Sequence, residues 1–245
     1  AHTAYLASLL GRWDYYDRYP LHQFLRLRLA VHDNLGAGVG YGDVGGYGAP
    51  VEGDPRDSMS SLASVTGGRI DLRRVTPEEV EGLYVHPVEP LWYAQFGGRS
   101  STPLGKAFDK ITMRQSHDPR RAYLLLDGLS GSNHGHWDGN TILRFTANGR
   151  MWLCEGDYLK GEMKEHNGLT LTRDARTAEP DRIVALREQY LDDEWGLVIT
   201  RTADYAGTDW DRHLLWHRPS DTFLMQDRVT ARLPGGASRR FRCPV

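Results

Sequence analysis

The sequence predicts an α+β chain in which a helical part precedes a large antiparallel β-sandwich. Three observations carry that prediction. Before about residue 100, apolar residues recur at helical spacing, as in "TAYLASLLGRW". After it, nine short runs bounded by turn residues read as strands. One junction between them, "ANGR", holds Asn148-Gly149, a pair that accepts the positive φ angles of a tight hairpin. Helices followed by strands imply segregated layers, with a helical part at 1–100 and a sandwich at 101–245 that ends cut short in "RRFRCPV".

In chain order, "PLHQFLRLRLAVHDNLG" opens with Pro20, an acceptable first helical residue, and closes at Gly36, a cap residue. The alternation in "FLRLRLAV" leaves a strand as the second reading of this segment. "GAGVGYGDVGGYGAPVEGDP" lacks the order and the preceding strand of a phosphate loop, so it reads as a long surface loop carrying Tyr41, Asp43 and Tyr47. "TPEEVEGLYV" reads as a short helix, with Thr76 as N-cap and acidic residues in the first turn. The strand runs are "KAFDKITMR", "RAYLLLDG", "NTILRFTA", "RMWLCEG", "LTLTRD", "RIVALREQY", "WGLVITRTADY", "DRHLLWHR" and "DTFLMQDRVTA".

With 245 residues the chain makes one large domain or two modest ones, and its apolar share suffices for a packed core. A net charge of −2 argues against nucleic acid as a partner. No run of 18 apolar residues exists, so no membrane span is expected. The first residues lack the segments of a secretory signal. Two cysteines, Cys154 and Cys243, allow one disulfide; in its strand-like run Cys154 reads as a buried thiol. Arginine outnumbers lysine, which suits carboxylate or sulfate recognition through the planar fork.

The chemical content concentrates in "GSNHGHWDGNTILRFTANGRMWLCEGDYLKGEMKEHN". His134 and His136 are two apart, so in an extended segment both rings share a side. Glu155 follows His136 by 19 residues (155 − 136), and the Asn148-Gly149 hairpin brings it back toward the first strand. His166 comes 11 residues later (166 − 155), at the start of the next strand. A His, His, Glu set is a known arrangement for zinc and for manganese. An incidental His-x-His in a strand competes with that reading. A jelly-roll cupin does not, because Asn140 and Thr141 stand where its carboxylate belongs. Asn133 and Asn140 are candidates for sugar hydroxyls or for holding the turn, with the turn favoured. Trp137 is a candidate for stacking on a sugar ring or for packing in the sandwich. Asp138 is a candidate partner for a ligand histidine, or a turn residue. Arg144, Arg150, Arg173 and Arg201 read as solvated strand faces. His22, His32, His86, His117, His213 and His217 lack ligand spacing and read as ordinary surface or packing residues.

The stretch "YLLLDGLSGSNHGHWDGNTILRFTANGRMWLCEGDY…EHNGLTL" resembles the heparinase II/III-like polysaccharide lyases and the related dermatan sulfate epimerase, densely from about Phe108 to Leu171. "GYGDVG" resembles a Gly-Asp turn late in that family's α/α toroid. The resemblance implies the C-terminal end of an (α/α) toroid followed by the sandwich. It assigns His134 to the catalytic cleft, and His136, Glu155 and His166 to a divalent metal, most simply Zn2+, with Mn2+ and Ca2+ as alternatives. It matches Tyr158 to a proton-donating tyrosine of the epimerase branch, and offers Tyr5 for a second catalytic tyrosine. The family's Asn or His that binds the substrate carboxylate has no match here, so an upstream toroid segment is an expected partner. The implied activity is lyase action on a uronic-acid polysaccharide by β-elimination, in a periplasmic or secreted setting. A uronate C5 epimerase is the second reading. A non-catalytic carbohydrate-binding sandwich with a structural metal is the third. Heparan sulfate, chondroitin or dermatan, hyaluronan, alginate and plant uronans all carry the reactive carboxylate.

Overall fold

The structure is a computed structural model that describes residues 9–14, 19–41, 54–60, 64, 66–98, 100–130, 136–155, 161–174, 176–239 and 241. Tyr5, Asp43, Tyr47, Asn133, His134, Tyr158 and Cys243 lie outside the described residues, as does most of "TAYLASLLGRW".

Helix α1, Tyr19–Ala30, places Leu21, Leu25 and Leu29 four residues apart on one buried stripe. That stripe meets Ile70, Val75 and Val80. The strand alternative for this segment is therefore not adopted. The helix ends at Ala30, short of Gly36, and Arg114 meets the carbonyls at that end. The buried guanidinium donates to the oxygens of Ala30 and His32, each at 2.8 Å, and stacks 4.2 Å from the Tyr123 ring. A cation is favoured at this end of the helix dipole.

The segment expected to be one helix over "TPEEVEGLYV" divides. Pro77–Val80 is a 3-10 turn, closed by the Thr76 amide donating 2.9 Å to the Glu79 carboxylate. Gly82–Pro87 is strand β1. The strand wins because Leu83 and Val85 pack against the sandwich core. The sheet thus begins ahead of the expected boundary at residue 100. A second short helix, α2 (Pro90–Phe96), starts at the Glu89 carboxylate, which accepts from the Trp92 amide. The described residues before β1 give α1 and 3-10 turns; the toroid end is not displayed by them.

All nine strand runs read from the sequence form strands. Strands β2 (Phe108–Arg114), β3 (Tyr123–Asp127), β4 (Ile142–Ala147) and β5 (Arg150–Cys154) join β1 in a five-stranded antiparallel sheet of order β1-β2-β3-β4-β5. The four-stranded sheet runs β11-β10-β9-β8, from β8 (Ala185–Leu191), β9 (Trp195–Thr202), β10 (Thr208–His217) and β11 (Thr222–Ala231). A third sheet, β12-β6-β7, contains β6 (Leu169–Arg173), β7 (Arg176–Thr177) and β12 (Gly236–Arg239). β7 and β12, at two and four residues, are too short to leave a period-two signal. Asn148 and Gly149 have φ of 55° and 71°, the left-handed pair that the hairpin reading requires.

The two larger sheets close over Phe108, Ile111, Leu124, Leu126, Val198, Leu214 and Trp216. The opposite face of the five-stranded sheet meets the α1 end through Val31, Val39, Tyr123, Leu125 and Leu143. The molecule is thus a helix layer on a two-sheet sandwich. Arg144 corrects an expectation here. It is buried rather than solvated, 3.5 Å from the Asp33 carboxylate, because its strand faces the helix layer. Arg201 stays partly exposed, as expected of a strand face, and pairs with Asp211 at 2.6 Å. Cys154 is a buried thiol in β5.

Candidate functional site

The site grows from the end of β3. Asp127 is the last residue of that strand, and the chain makes an excursion before returning at Asn140 and Thr141. Both ends of the excursion are tied to Asp127. Its carbonyl accepts from the Asn140 amide at 2.8 Å, and its own amide donates to Thr141 O at 3.0 Å. Its carboxylate accepts from the Leu129 amide and from the buried Lys110 ammonium, each at 3.0 Å. Burial pulls the Lys110 pKa down, but Asp109 and Asp127 more than offset it, so this amine stays charged. Gly128 is required at the exit, since a Cβ there would sit 2.0 Å from Phe108 O.

Three sequence-predicted groups come together at the return. His136 leaves the excursion, Glu155 directly follows β5, and His166 ends the 3-10 turn Met163–Glu165 ahead of β6. All three are buried, with His166 only 1% exposed. His166 Nδ1 lies 2.5 Å from Glu155 Oε1, and the His136 and His166 ring centroids are 6.1 Å apart, edge to face. Burial lowers the His166 pKa, yet the Glu155 hydrogen bond and charge, with the charge of Asp138, lift it above the ordinary imidazole value. Asp138 is buried, and its carbonyl accepts from the Thr141 hydroxyl at 2.6 Å.

Two imidazoles and a carboxylate suit a divalent cation chemically, and His166 Nε2 is buried without a hydrogen-bond partner among the described residues. The spacing is different: among the described residues no group of three or more His, Cys, Asp or Glu is arranged to hold a metal ion. Glu155 is turned onto His166 Nδ1 instead. In this arrangement the pair is a buried ion pair, and a metal bound by His166 would displace its proton.

The other predicted residues divide. Asn140 is fully buried with φ of 65°, and its side-chain oxygen accepts from Thr200 Oγ1 at 2.6 Å. Those contacts hold a turn and put it out of reach of a sugar. Trp137 is half-buried, packs against the cluster of Met163, Leu169, Leu171, Tyr205 and Trp210, and also borders an open cavity.

Sequence reasoning missed the scaffold behind the site. Arg212, fully buried on β10, donates to Asn140 O at 2.7 Å and Asn167 O at 3.1 Å, so one guanidinium ties the two segments that carry His136 and His166. Asp227 holds Arg212 at 2.9 Å. Asn167 adds bonds from its amide to Ile142 O and Cys154 O, at 2.9 and 2.7 Å. A signal was available for Arg212: it shares the inward phase of β10 with Trp210, Leu214 and Trp216.

No protein-family model matches the sequence, and no curated protein matches it either. In fold, the chain is similar to solved structures of heparinase III and of the heparan sulfate lyase HepC. A crystal structure of heparinase III aligns over 89% of this chain and 35% of its own, at 14% identity and TM-score 0.57. A mutant of the heparan sulfate lyase HepC from Pedobacter heparinus aligns over 85% of this chain and 32% of its own, at 17% identity and TM-score 0.56. At such identities the likeness is one of fold, and the chain spans about a third of the length of these structures.

Proposed function

We propose that the chain is the sandwich-bearing part of a polysaccharide lyase that cleaves a uronic-acid polymer by β-elimination. One observation carries this reading. The Glu155–His166 contact of 2.5 Å, with His136 buried beside it, joins the chain segments that bear His134 and Tyr158. His134 stands two residues before His136, and Tyr158 three after Glu155. A fold shared with heparan sulfate lyase structures supports the same reading.

In β-elimination the C5 proton, acidified by the neighbouring carboxylate, is removed, the C4–O bond breaks, and the leaving oxygen is protonated. His134 serves as base or stabilises the carboxylate side, since an imidazole titrates near neutral pH. Tyr158 donates to, or exchanges protons with, the sugar. Tyr5 takes the role of the second tyrosine, and an upstream toroid segment contributes the carboxylate binder. His136, Glu155 and His166 are the residues that would hold a divalent cation, most simply Zn2+, and a bound ion would fix the hairpin that bears His134 and Tyr158. The setting is periplasmic or secreted. Among the described residues no helix is long and apolar enough to cross a membrane.

The test is a panel of uronate polymers screened for the ultraviolet absorbance of a 4,5-unsaturated product. Unsaturated product from at least one polymer is the expected result. Solvent deuterium entering C5 without cleavage makes the chain an epimerase instead. Oligosaccharide binding without conversion, even when the upstream segment is supplied, leaves a carbohydrate-binding sandwich.

A further inference from the structure

Beside Trp137 lies a cavity of about 440 Å³, lined by none of His136, Glu155 and His166, that none of the chemistry above uses. Its size falls within the range of ligand pockets. Trp137 forms one wall, and Arg182 lies over the indole, 5.8 Å from the ring centroid. Glu179, Asp181 and Asp204 complete a polar rim. Asp181 is fixed in place, accepting from Ser100 Oγ at 2.8 Å and from the Ser101 and Ile183 amides at 3.3 Å each. Glu179 and Asp204 are exposed at the mouth.

We infer that this cavity is a saccharide subsite for an uncharged, hydroxyl-bearing sugar residue of the polymer, one that excludes sulfated residues. The inference rests on the reading that the chain handles a uronate polysaccharide, and names which part of that polymer sits here. Trp137 is held from behind by the apolar cluster of the third sheet, so its orientation is set before a ligand arrives. An amphipathic aromatic wall suits the apolar face of a pyranose. The carboxylates accept from sugar hydroxyls, which are donors. Three carboxylates against one guanidinium leave the lining negative, and Arg232, 2.9 Å from Asp204, offsets only one of them. A sulfate entering that field meets like charge, and like-charge contacts discriminate strongly between partners.

The experiment is a titration of the chain with an unsulfated hyaluronan hexasaccharide and with a heparin hexasaccharide, read by calorimetry at fixed salt. Hyaluronan oligosaccharide should bind at least about tenfold more tightly than heparin oligosaccharide, the ratio that one disfavoured charge contact produces. Trp137→Ala should lose about tenfold or more for hyaluronan. Because Trp137 also packs on the core, the double variant Glu179→Gln/Asp204→Asn, altered only at exposed positions, is the second probe; it should raise heparin affinity and, with two hydroxyl acceptors changed, weaken hyaluronan, so that the preference narrows or reverses. Equal affinity for both oligosaccharides, no binding of either, or heparin affinity unmoved in the double variant overturns the subsite. No turnover is needed, so a chain that binds with this preference yet releases no unsaturated product retains the subsite and loses the lyase reading. Product formation without the preference does the reverse.

Discussion

His166 Nδ1 and Glu155 Oε1 meet at 2.5 Å in an environment almost closed to water. Removing one partner of such a pair strands the other in low dielectric, which typically costs about 3–5 kcal/mol. Glu155→Ala should therefore lower unfolding free energy by about that amount. Urea denaturation with an unchanged slope checks it. A midpoint equal to the parent's would mean that the contact contributes nothing to the fold.

The metal assignment makes a separate claim. Purified chain, dialysed against trace-metal buffer, should carry about one divalent ion, and His136→Ala should carry much less. Elemental analysis reads this directly. Displacing His134 and Tyr158 by about an ångström should also cost on the order of 100-fold in rate. Metal retained by His136→Ala at the parent's stoichiometry refutes His136 as a ligand. An unaltered chain without metal would leave the Glu155–His166 ion pair as the element that holds the hairpin.

Strand content was legible because each run carries its own pattern and the turns between them carry theirs. Asn148-Gly149 announced its hairpin, and the hairpin carried Glu155 to Thr141 and His166 as spacing implied. β1 was misread because the capping box at Thr76 and Glu79 signals a helix start equally well for one turn or three. The approach of Glu155 to His166 could be read, but the turning of the carboxylate onto Nδ1, rather than toward a centre shared with His136, could not. The backbone on either side of that contact is held by Asn167, ahead of β6, and by Arg212 on β10, both remote in sequence from Glu155. Arg144 looked solvated because nothing local to β4 discloses that α1 and Asp33 cover its face.

His86 gives a pH dependence. It is buried, Tyr84 Oη lies 2.9 Å from its Nδ1, and burial, with help from Lys110 and Arg26, pushes its pKa from 6.5 to about 4 against the pull of Asp109. Between those values the unfolded chain binds a proton that the folded chain does not, so stability is present above pH 6.5 and falls as pH drops toward about 4. A shift of this size corresponds to about 3 kcal/mol. His86→Gln keeps a partner for Tyr84 and removes the titration. The difference between the two unfolding free energies should shrink across that window, and a constant difference would exclude His86 as its source.

Arg114 joins the layers as His86 does not. Its guanidinium satisfies the carbonyls of Ala30 and His32 and meets Asn34 Oδ1 at 3.4 Å. Arg114→Met keeps much of the stem volume, leaves Ala30 O with the Tyr123 hydroxyl at 2.8 Å, and takes the donor from His32 O and Asn34 Oδ1, at about 1–3 kcal/mol each. Hydrogen exchange should accelerate in α1 well before it does in β3 and β4. Uniform acceleration across the chain would mean that the helix and sandwich open as one unit and that Arg114 is no local clasp.

Arg212 and Asp227 bring the scaffold and the site into one measurement. The pair is essentially closed to solvent, at 0% and 1% side-chain exposure, and Arg212 also reaches the carbonyls beside His136 and His166. Asp227→Leu strands Arg212 in a buried position and should cost about 3–5 kcal/mol. Arg212→Leu should cost less, because Arg239 and Trp210 Nε1, each at 2.9 Å, still meet the Asp227 carboxylate. The double variant should recover part of the loss, since an apolar pair of similar volume escapes the desolvation penalty. A double-mutant cycle then separates pair from scaffold. If Arg212 acts only through Asp227, the double variant regains both stability and the metal content of the parent. If, as the geometry requires, it also fixes Asn140 and Asn167, stability returns while bound metal does not. A double variant with full metal occupancy would show that the site holds its shape without the guanidinium.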